Sequence, residues 1–384
     1  MNAVAAVDYS PALGLLALAS GLALLPLGWW AWRQRASGPS ARRAALTVLT
    51  LFLTFDLVVF GAFTRLTDSG LGCPDWPGCY GEAHPFAANE QIAAAEAAQP
   101  TGPVTRHKAW IEMVHRYLAM AVGALILVLA AMSLRARREL PFSIGWPLAT
   151  LAWVIVQGMF GRFTVTLKLY PAIVTLHLLG GLILLALLAF QAERYRGRSL
   201  ALGTGARALL AVALPLLLVQ VLLGAWVSTN YAVLACRGFP QCNGQWWPQG
   251  MDAQQGFTIL RHLGRAGEGG FLPAQALVAI HWAHRVFALV LVVVLLSFGA
   301  ALWRQAGGVA RAAAQALVAL TLLQVATGAA NVVLHWPLVA ALMHTAGAAA
   351  LAWLLVAWQV RAFAAPAAAS AGAPSATPHG LTSP

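Results

Sequence analysis

Nine apolar runs, each of about twenty residues or more, constrain the fold of this 384-residue chain more than any other feature. They cover residues 12–32, 44–64, 109–133, 145–166, 171–191, 208–228, 274–303, 311–333 and 337–360. A helix needs about 20 predominantly apolar residues to cross a bilayer. Only 9% of the residues are charged, whereas soluble domains carry about a quarter. The sequence therefore predicts an all-α polytopic membrane protein.

The charge distribution predicts how these helices are oriented in the membrane. A net charge of +12 is compatible with nucleic-acid binding, but arginines are concentrated in the loops of one side. These are Arg33, Arg35, Arg42, Arg43, Arg135, Arg137, Arg138, Arg194, Arg196, Arg198, Arg207, Arg304, Arg311 and Arg361. The positive-inside rule makes that side cytoplasmic, with the N-terminus periplasmic and the C-terminus cytoplasmic. We therefore expect the lipid bilayer as a partner, and no nucleic acid.

The two ends of the chain differ in composition from the region between them. The first apolar run follows Asp8 and precedes arginines, the reverse of a secretory signal peptide. We therefore expect residues 1–43 to form an extra N-terminal transmembrane helix and a basic cytoplasmic loop. The absence of an Arg/Ser-rich presequence favours the inner (cytoplasmic) membrane of a bacterium. Residues 362–384 are rich in Ala, Pro, Ser and Gly and are predicted to be a disordered cytoplasmic tail.

Several motifs recur at nearly constant offsets, which indicates an internal duplication. Cys73/Cys79 and Cys236/Cys242 lie 163 residues apart, His115-Arg116 and His284-Arg285 169 apart, and His177 and His344 167 apart. The sequence therefore predicts two pseudo-symmetric four-helix transmembrane bundles, at residues 44–191 and 208–360. Each contains a long outer loop that begins with its cysteine pair and carries a short amphipathic segment, near residues 89–98 and 255–262.

Four histidines lie inside the apolar runs, where ionisable groups are costly and indicate function. His115, His177, His284 and His344 all lie roughly 10–15 Å below the outer surface at 1.5 Å per residue. Facing helices of a bundle can supply two axial imidazoles to one haem iron. The residue pattern therefore predicts one bis-histidine haem site in each unit. A packed histidine is the usual interpretation of a single copy, and copper or zinc lacks a third close ligand; His281, near His284, is a rival haem ligand.

A Gln-x-x-x-Gly motif recurs on three predicted helices, at residues 157/161, 220/224 and 324/328. Helix packing through a small residue and an amide is the main interpretation, and lining of a haem pocket is the alternative. Asp56 lies near the corresponding position of the first unit. For this carboxylate, a proton path and a hydrogen-bonded structural role are both open.

Polar residues near the histidines suggest further roles. Arginines are suited to haem propionates, and the candidates are Arg65, Arg116, Arg162 and Arg285; snorkelling to headgroups is the alternative. Glu112 shares a helix face with His115, whereas the second unit has His281 at that place. The asymmetry suggests that the two sites differ in task. Glu112 is a candidate general base, and an orienting partner for an imidazole or for Arg116 is the alternative.

The four cysteines form two Cys-x5-Cys pairs on the predicted outer side, where two disulfides are the natural interpretation. A zinc site made by all four thiolates is the weaker alternative, because zinc cysteines are usually closer in sequence. A redox task for the pair Cys73/Cys79 is a further alternative.

Taken together, the segments TRLTDSGLGCPDWPGC, EMVHRYLA, TLHLLGG, CRGFPQC, AHRVFA and LMHTAG resemble the haem A synthase family, of the bacterial type with cysteine pairs in both outer loops. The resemblance covers residues 44–360. It implies an oxidoreductase of terminal-oxidase biogenesis that oxidises the C8 methyl of haem O to a formyl group through a hydroxymethyl intermediate, with water as the oxygen source.

The resemblance also assigns residues and partners. It implies that His284 and His344 bind haem b as a cofactor, that His115 and His177 receive haem O as substrate, and that Glu112 is catalytic. Haem O synthase, cytochrome oxidase assembly factors and a homo-oligomer are the implied partners. The alternatives are a dihaem cytochrome b that oxidises quinol and a haem transporter or chaperone.

Overall fold

The computed structural model describes residues 10–267, 270–305 and 307–363, which fold into helices and connecting loops without any named strand. The helices are α1 (Ser10–Arg33), α2 (Pro39–Leu66), α3 (Asn89–Ala98), α4 (Arg106–Arg135), α5 (Gly145–Thr166), α6 (Pro171–Arg196), α7 (Thr204–Thr229), α8 (Ala253–Gly256), α9 (Ala274–Trp303), α10 (Gly308–Val333) and α11 (Leu338–Phe363). Within this described part, nine are long and apolar enough to cross a membrane, all except α3 and α8. The prediction of an all-α, multi-pass membrane protein is confirmed. The predicted disordered tail lies outside the described residues, apart from the last two residues of α11.

Local sequence signals explain where several helices begin and end. Pro39 and Pro171 stand at the first helical positions of α2 and α6, where the missing N–H costs no hydrogen bond. The side chain of Thr105 caps α4 by accepting a hydrogen bond from the backbone N–H of Lys108. Gly197 ends α6 in the left-handed region, with φ at 60°.

The transmembrane helices after α1 form two rings of four. In the first ring, α4 packs against α2 and α5, and α6 closes the ring by packing against the same two helices. In the second ring, α9 packs against α7 and α10, and α11 closes it in the same way. The packing order therefore repeats helix for helix. The exact limits of the two units, 44–191 and 208–360, stay a prediction.

The two rings meet along α6 and α11, with α2 and α7 flanking the join. At the arginine-rich ends of the helices, the buried carboxylate of Glu193 accepts hydrogen bonds from Arg361 and Arg196, both at 2.7 Å. At the ends that carry the cysteine loops, Arg65 donates to the carbonyl of Ser228 at 2.6 Å. We call these two ends of the molecule the arginine face and the cysteine face. Contacts on both faces therefore tie the rings together.

The extra helix α1 lies outside the rings and packs mainly on α4. Near the cysteine face, Leu15 shares a buried apolar cluster with Cys73, Cys79 and Met113. At its other end, the indole N–H of Trp30 donates to the backbone of α2. The helix therefore covers the outside of the first ring and contributes no side chain to its interior histidines.

The two short loop helices differ from one another. Helix α3 forms at residues 89–98, as predicted, and packs on α4. Helix α8 has only four residues, so the predicted segment at 255–262 is wrong in length and register. The helix ends because the carbonyl of Gly256 accepts a hydrogen bond from Trp226, and Gly256 packs so tightly on α9 that an added Cβ would lie 2.9 Å from the carbonyl oxygen of Ala276.

Candidate haem-binding sites

Each of the four predicted haem-ligating histidines faces a glycine on a neighbouring helix. A Cβ added to the glycine would approach the Cε1 atom of the imidazole at 3.0 Å for Gly61 and His115, 3.7 Å for Gly161 and His177, 2.9 Å for Gly224 and His284, and 3.2 Å for Gly328 and His344. We call these four glycine positions the glycine notches. They lie on α2, α5, α7 and α10, whereas the histidines lie on α4, α6, α9 and α11. A glycine on a neighbouring helix therefore lies beside each of the four imidazoles, closer at Gly61, Gly224 and Gly328 than at Gly161.

In the second ring, His284 and His344 face each other. Their ring centroids are 6.5 Å apart and their planes are at 81°. Two imidazoles that bind one metal from opposite sides through Nε2 have their centres about 6 Å apart, because each metal–nitrogen bond is about 2 Å long. The spacing of this pair therefore fits an iron atom between the two rings.

The remaining ring nitrogens of this pair have polar neighbours. The side-chain amide nitrogen of Gln220 lies 3.0 Å from Nδ1 of His284. The hydroxyl of Thr327 lies 3.1 Å from Nδ1 of His344. Histidines that bind metals usually donate their other N–H to such a group, which fixes the tautomer. Both imidazoles of the second ring therefore have a polar neighbour at Nδ1.

In the first ring, the surroundings of the histidines are less polar. The phenyl group of Phe60 stacks on the imidazole of His115, with the centroids of these two groups 6.2 Å apart and their planes at 12°. The Nδ1 atoms of His115 and His177 are both buried, and neither has a hydrogen-bond partner among the residues that the structure describes. The two rings thus share the glycine notches but differ in whether the Nδ1 atoms of their imidazoles have a polar neighbour.

Glu112 lies beneath the first cysteine loop. One carboxylate oxygen accepts a hydrogen bond from the backbone N–H of Cys73 at 2.8 Å, and the other accepts one from Arg116. The residue is buried, with 4% of its surface exposed. The structure therefore provides the orienting contact with Arg116 that was considered as an alternative to a base. The same contacts link the helix of His115 to the loop.

Arg116 and Arg285 occupy corresponding places and bind the loops above them. Arg116 donates to the carbonyl oxygens of Asp75, Pro77 and Gly78. Arg285 donates to those of Cys236, Gly238 and Gln241. Most donors of these two side chains are therefore directed to the loop backbones, and their contact with haem propionates stays a prediction.

His281 takes the place of Glu112 in the second ring. Its Nε2 lies 3.2 Å from the Nε of Arg285, which donates to it. His284, by contrast, faces His344 across the ring. The geometry thus brings His284 and His344 together and leaves His281 bound to an arginine.

Two further arginines lie near the cysteine face. Arg65 stacks on Tyr231, with its guanidinium carbon 4.1 Å from the ring centroid, and the Tyr231 hydroxyl donates to Asp68 at 2.6 Å. Burial raises the pKa of Tyr231 and outweighs the lowering effect of Arg65, so the phenol keeps the proton that it donates. Arg162 is exposed and lies 6.0 Å from the ring of Trp76, a residue of the first cysteine loop. A propionate role for Arg65 and Arg162 stays a prediction.

The structure contains both disulfides, Cys73–Cys79 and Cys236–Cys242. All four cysteines are fully buried. Each disulfide closes a short loop whose carbonyl oxygens accept hydrogen bonds from an arginine of the helix that carries His115 or His284. The disulfides therefore belong to the loops that lie next to the outer ends of these two helices.

Sequence reasoning recognised the Gln-x-x-x-Gly motif but assigned it mainly to helix packing. That interpretation fits Gln157 and Gln324, whose amides lie against Gly180 and Gly347 of the next helix. The motif glycines instead face the imidazoles, and Gln220 contacts one directly. Phe60 and Thr327 were missed. Thr327 precedes the motif glycine Gly328, and Phe60 precedes Gly61, which corresponds to Gly224 but lacks the glutamine of the motif. Asp56 is exposed on α2, and no hydrogen bond to its side chain is found among the described residues.

The residues present fit a haem in each ring. Half-buried imidazoles on the helices of each ring supply axial ligands. A Cβ added at Gly61, Gly224 or Gly328 would crowd the imidazole beside it, whereas at Gly161 it would make an ordinary contact. The spacing of the second pair matches two ligands of one metal. Haem iron binding by two histidines is therefore compatible with this donor set.

A family model described as cytochrome oxidase assembly protein, COX15-CtaA, matches residues 44–356. The match extends from α2 into α11 and includes both histidine pairs and both cysteine loops. The chain belongs to this family of cytochrome oxidase assembly proteins. Helix α1 precedes the part of the chain that the family shares.

Individual relatives agree with the family match. The protein named Heme A synthase from Shewanella oneidensis is 38% identical over 315 residues, which are 80% of this chain and 93% of that protein. The Heme A synthase of Caulobacter vibrioides is 30% identical over 342 residues, with 80% of this chain and 93% of the relative covered. That of Rhizorhabdus wittichii is 29% identical over 356 residues, with 83% and 95% covered. The resemblance to the haem A synthase family is confirmed.

Proposed function

We propose that this chain is a haem A synthase, an oxidoreductase that converts the C8 methyl group of haem O to a formyl group for cytochrome oxidase assembly. The family match and the relatives support the activity. The observation that carries the assignment to this geometry is the pair of facing imidazoles in the second ring, together with the glycine that lies beside each of the four histidines.

The second ring is proposed to hold haem b through His284 and His344. Their mutual spacing and the polar partners of their Nδ1 atoms support this role. When bound there, haem b would supply a one-electron carrier for the oxidation. Gln220 and Thr327 would hold the two imidazoles in orientation.

The first ring is proposed to receive haem O as substrate through His115 and His177. Conversion of the methyl to a hydroxymethyl group and then to a formyl group requires two successive two-electron oxidations, each with loss of two protons, and one oxygen atom from water. A base near the substrate must accept protons in these steps. Glu112 is the carboxylate nearest in sequence to His115, and the second ring has His281 in its place.

Glu112 is therefore proposed to accept a proton from that water or from the substrate. Its hydrogen bonds with Arg116 and the N–H of Cys73 fix the direction of the carboxylate, and each oxygen keeps a further lone pair for a proton. The orienting contact and the base function are thus compatible, since the arginine holds the group in one place.

The proposed location is the bacterial inner membrane, with the cysteine face periplasmic and the arginine face cytoplasmic. The clustering of arginines at one end of the helices supports this orientation, and an oxidising periplasm suits the two disulfides. Haem O synthase and cytochrome oxidase assembly factors are the proposed partners.

The test is an analysis of the haems extracted from purified protein that is co-expressed with a haem O synthase. We expect haem b together with haem O and haem A or its alcohol precursor in the wild type. Glu112→Gln, which keeps the size of the side chain, should retain haem b and haem O and lose haem A. Two haem b groups and no farnesylated haem would instead indicate an electron carrier. Full haem A production by Glu112→Gln and Glu112→Ala would contradict the role of Glu112.

A further inference from the structure

The two histidine pairs have the same glycine notches but differ in the groups that lie next to their Nδ1 atoms. In the second ring both Nδ1 atoms have a polar neighbour within 3.1 Å. In the first ring both Nδ1 atoms are buried, and the described residues offer neither of them a hydrogen bond. This difference is not explained by the fold, because the helices of the two rings correspond one to one.

The contact of His344 is the simpler of the two. The hydroxyl of Thr327 donates its hydrogen to the carbonyl of Leu323 at 2.7 Å, so it meets Nδ1 of His344 with a lone pair. That lone pair accepts a hydrogen bond only from Nδ1–H. Because neutral imidazole carries one N–H, Nε2 is then unprotonated and free to bind a metal.

The contact of His284 leads to the same tautomer once Nε2 binds a metal. The amide of Gln220 lies with its nitrogen 3.0 Å from Nδ1, and its oxygen Oε1 is buried without a hydrogen-bond partner in the described part of the chain. Amide nitrogen and oxygen exchange places on a 180° rotation. A ligating Nε2 requires Nδ1–H, and the rotated amide accepts this hydrogen through Oε1. The rotation exchanges this contact for the hydrogen bond that the amide nitrogen donates to the backbone carbonyl of His284 at 3.2 Å.

The first ring has apolar residues at both corresponding positions. Gln220 corresponds to Leu57 at the offset of 163 residues that also relates Gly224 to Gly61. Thr327 corresponds to Phe160 at the offset of 167 that relates His344 to His177. Neither Leu57 nor Phe160 can accept a hydrogen bond from an imidazole. The absence of partners in the first ring therefore follows from the sequence at two defined positions.

We propose that Gln220 and Thr327 are positioning residues that retain haem in the second ring, and that Leu57 and Phe160 keep the first ring exchangeable. A hydrogen bond from Nδ1–H makes the imidazole a more basic ligand, and loss of such a partner typically costs about 10–100-fold in metal affinity. The proposal rests on the proposed function, in which one haem is a resident cofactor and the other is a substrate that must leave. The hydrogen-bond partners of Nδ1 thus determine which ring retains its haem as a cofactor and which ring releases it as a substrate.

The first test removes the partners from the second ring. Gln220→Leu combined with Thr327→Val should release haem b to apomyoglobin about 10–100-fold faster than the wild type. The midpoint potential of that haem should rise, because a less basic imidazole stabilises ferric iron less. The matched controls are Gln191→Leu and Thr321→Val, which remove a buried amide and a buried hydroxyl that bond other helix groups and no histidine.

The second test introduces the partners into the first ring. Leu57→Gln combined with Phe160→Thr should slow the release of haem b from the first ring after reconstitution with excess haem b, so that the fast phase of transfer to apomyoglobin is lost. In cells supplied with haem O, this variant should retain more farnesylated haem through purification than the wild type does.

The outcomes separate this inference from the proposed function. If the first double variant keeps the wild-type rate of haem loss and the wild-type potential, the second-shell proposal is overturned while the enzyme assignment stands. If the wild type binds no haem in either ring, the proposed function fails first. Gln220→Leu combined with Thr327→Ser, which keeps a hydroxyl at position 327 but not the amide, should recover the part of the potential shift that belongs to Thr327; no recovery would also count against the proposal.

Discussion

At the residue scale, the glycine notches predict that a glycine-to-alanine substitution reduces haem binding more when the added methyl group lies closer to an imidazole. In Gly224→Ala the new methyl would lie 2.9 Å from Cε1 of His284, so the imidazole must move. Overpacking of this kind typically costs about 1–3 kcal/mol, and here it displaces a proposed haem ligand. We expect the pyridine haemochrome of the purified variant to show a clear loss of haem b.

The glycines supply their own controls. Gly205→Ala lies on the same helix as Gly224, and nothing lies within 4 Å of its added methyl group. Gly161→Ala would place the methyl 3.7 Å from Cε1 of His177, an ordinary contact. Each variant should keep the haem of its own ring at the wild-type level, haem b for Gly205→Ala and haem O for Gly161→Ala. Equal haem loss in Gly205→Ala and Gly224→Ala would show that the notch is not the cause.

The four histidines could be predicted from the sequence, whereas their glycine neighbours could not be assigned. A histidine inside an apolar run is conspicuous because of its cost in the membrane. A glycine in such a run has several packing roles. Whether Gly61 or Gly224 faces an imidazole depends on how each helix is rotated about its axis, and the weakly amphipathic pattern of membrane helices does not determine that rotation.

At the scale of elements, each cysteine loop accepts several hydrogen bonds from one arginine of the helix below it, and Glu112 also binds the first loop. Arg116 provides the charge-assisted hydrogen bonds that connect residues 75–78 to α4. Arg285 performs the same task for the second loop. Since each hydrogen bond to a charged group contributes about 1.5–3 kcal/mol, one side chain stabilises much of the loop conformation.

This attachment predicts a local effect of Arg116→Ala. The backbone amides of the first loop should exchange hydrogen at least about tenfold faster, because the loss of roughly 1.4 kcal/mol already changes an opening equilibrium tenfold. The second loop should be unaffected. Hydrogen-exchange mass spectrometry of the purified protein measures both loops in one experiment.

Arg106→Ala is the control for this experiment, because Arg106 is an exposed residue at the start of the same helix. It should leave the exchange of both loops unchanged. If the first loop of Arg116→Ala is as well protected as that of the wild type, then the remaining contacts, which include the disulfide and the hydrogen bond between Cys73 N–H and Glu112, hold the loop in place.

The membrane helices could be predicted to within five residues at each end, since length and hydropathy define them directly. The loop helix α8 could not. Its end depends on a tertiary hydrogen bond from Trp226 and on the packing of Gly256 against α9, and neither is visible in the local sequence. Local composition thus determines where the membrane helices lie, whereas the end of the loop helix α8 depends on contacts with residues that are distant in sequence.

At the scale of the whole molecule, the duplication explains how the two rings join. Arg65 and Ser228 occupy corresponding positions, 163 residues apart, and they contact each other. Asp68 and Tyr231 have the same offset and also bond to each other. Contacts between equivalent residues are expected where two similar units meet around an approximate two-fold axis. The repeat was visible in the sequence, but the placement of its axis required the structure.

The arginine face of this join predicts a change in global stability. In Glu193→Gln the amide cannot replace a carboxylate whose two oxygens bind Arg361 of the other ring and Arg196. The glutamate side chain is only 1% exposed, whereas the two arginines are 21% and 38% exposed and remain partly hydrated without it. We therefore expect a loss of about 1–3 kcal/mol, at the lower end of what breaking a buried pair costs. Thermal unfolding in detergent should show a lower midpoint.

A double-mutant cycle decides whether the lost stability belongs to the join between the rings. Glu193→Gln and Arg361→Gln should each destabilise the protein, and the double variant should cost less than the sum, because each single change removes the same interaction. Glu90→Gln, at an exposed position of α3, should leave the midpoint unchanged. Strict additivity of the two changes would mean that the pair of Glu193 and Arg361 does not stabilise the join, which then depends on helix packing and on the contacts at the cysteine face.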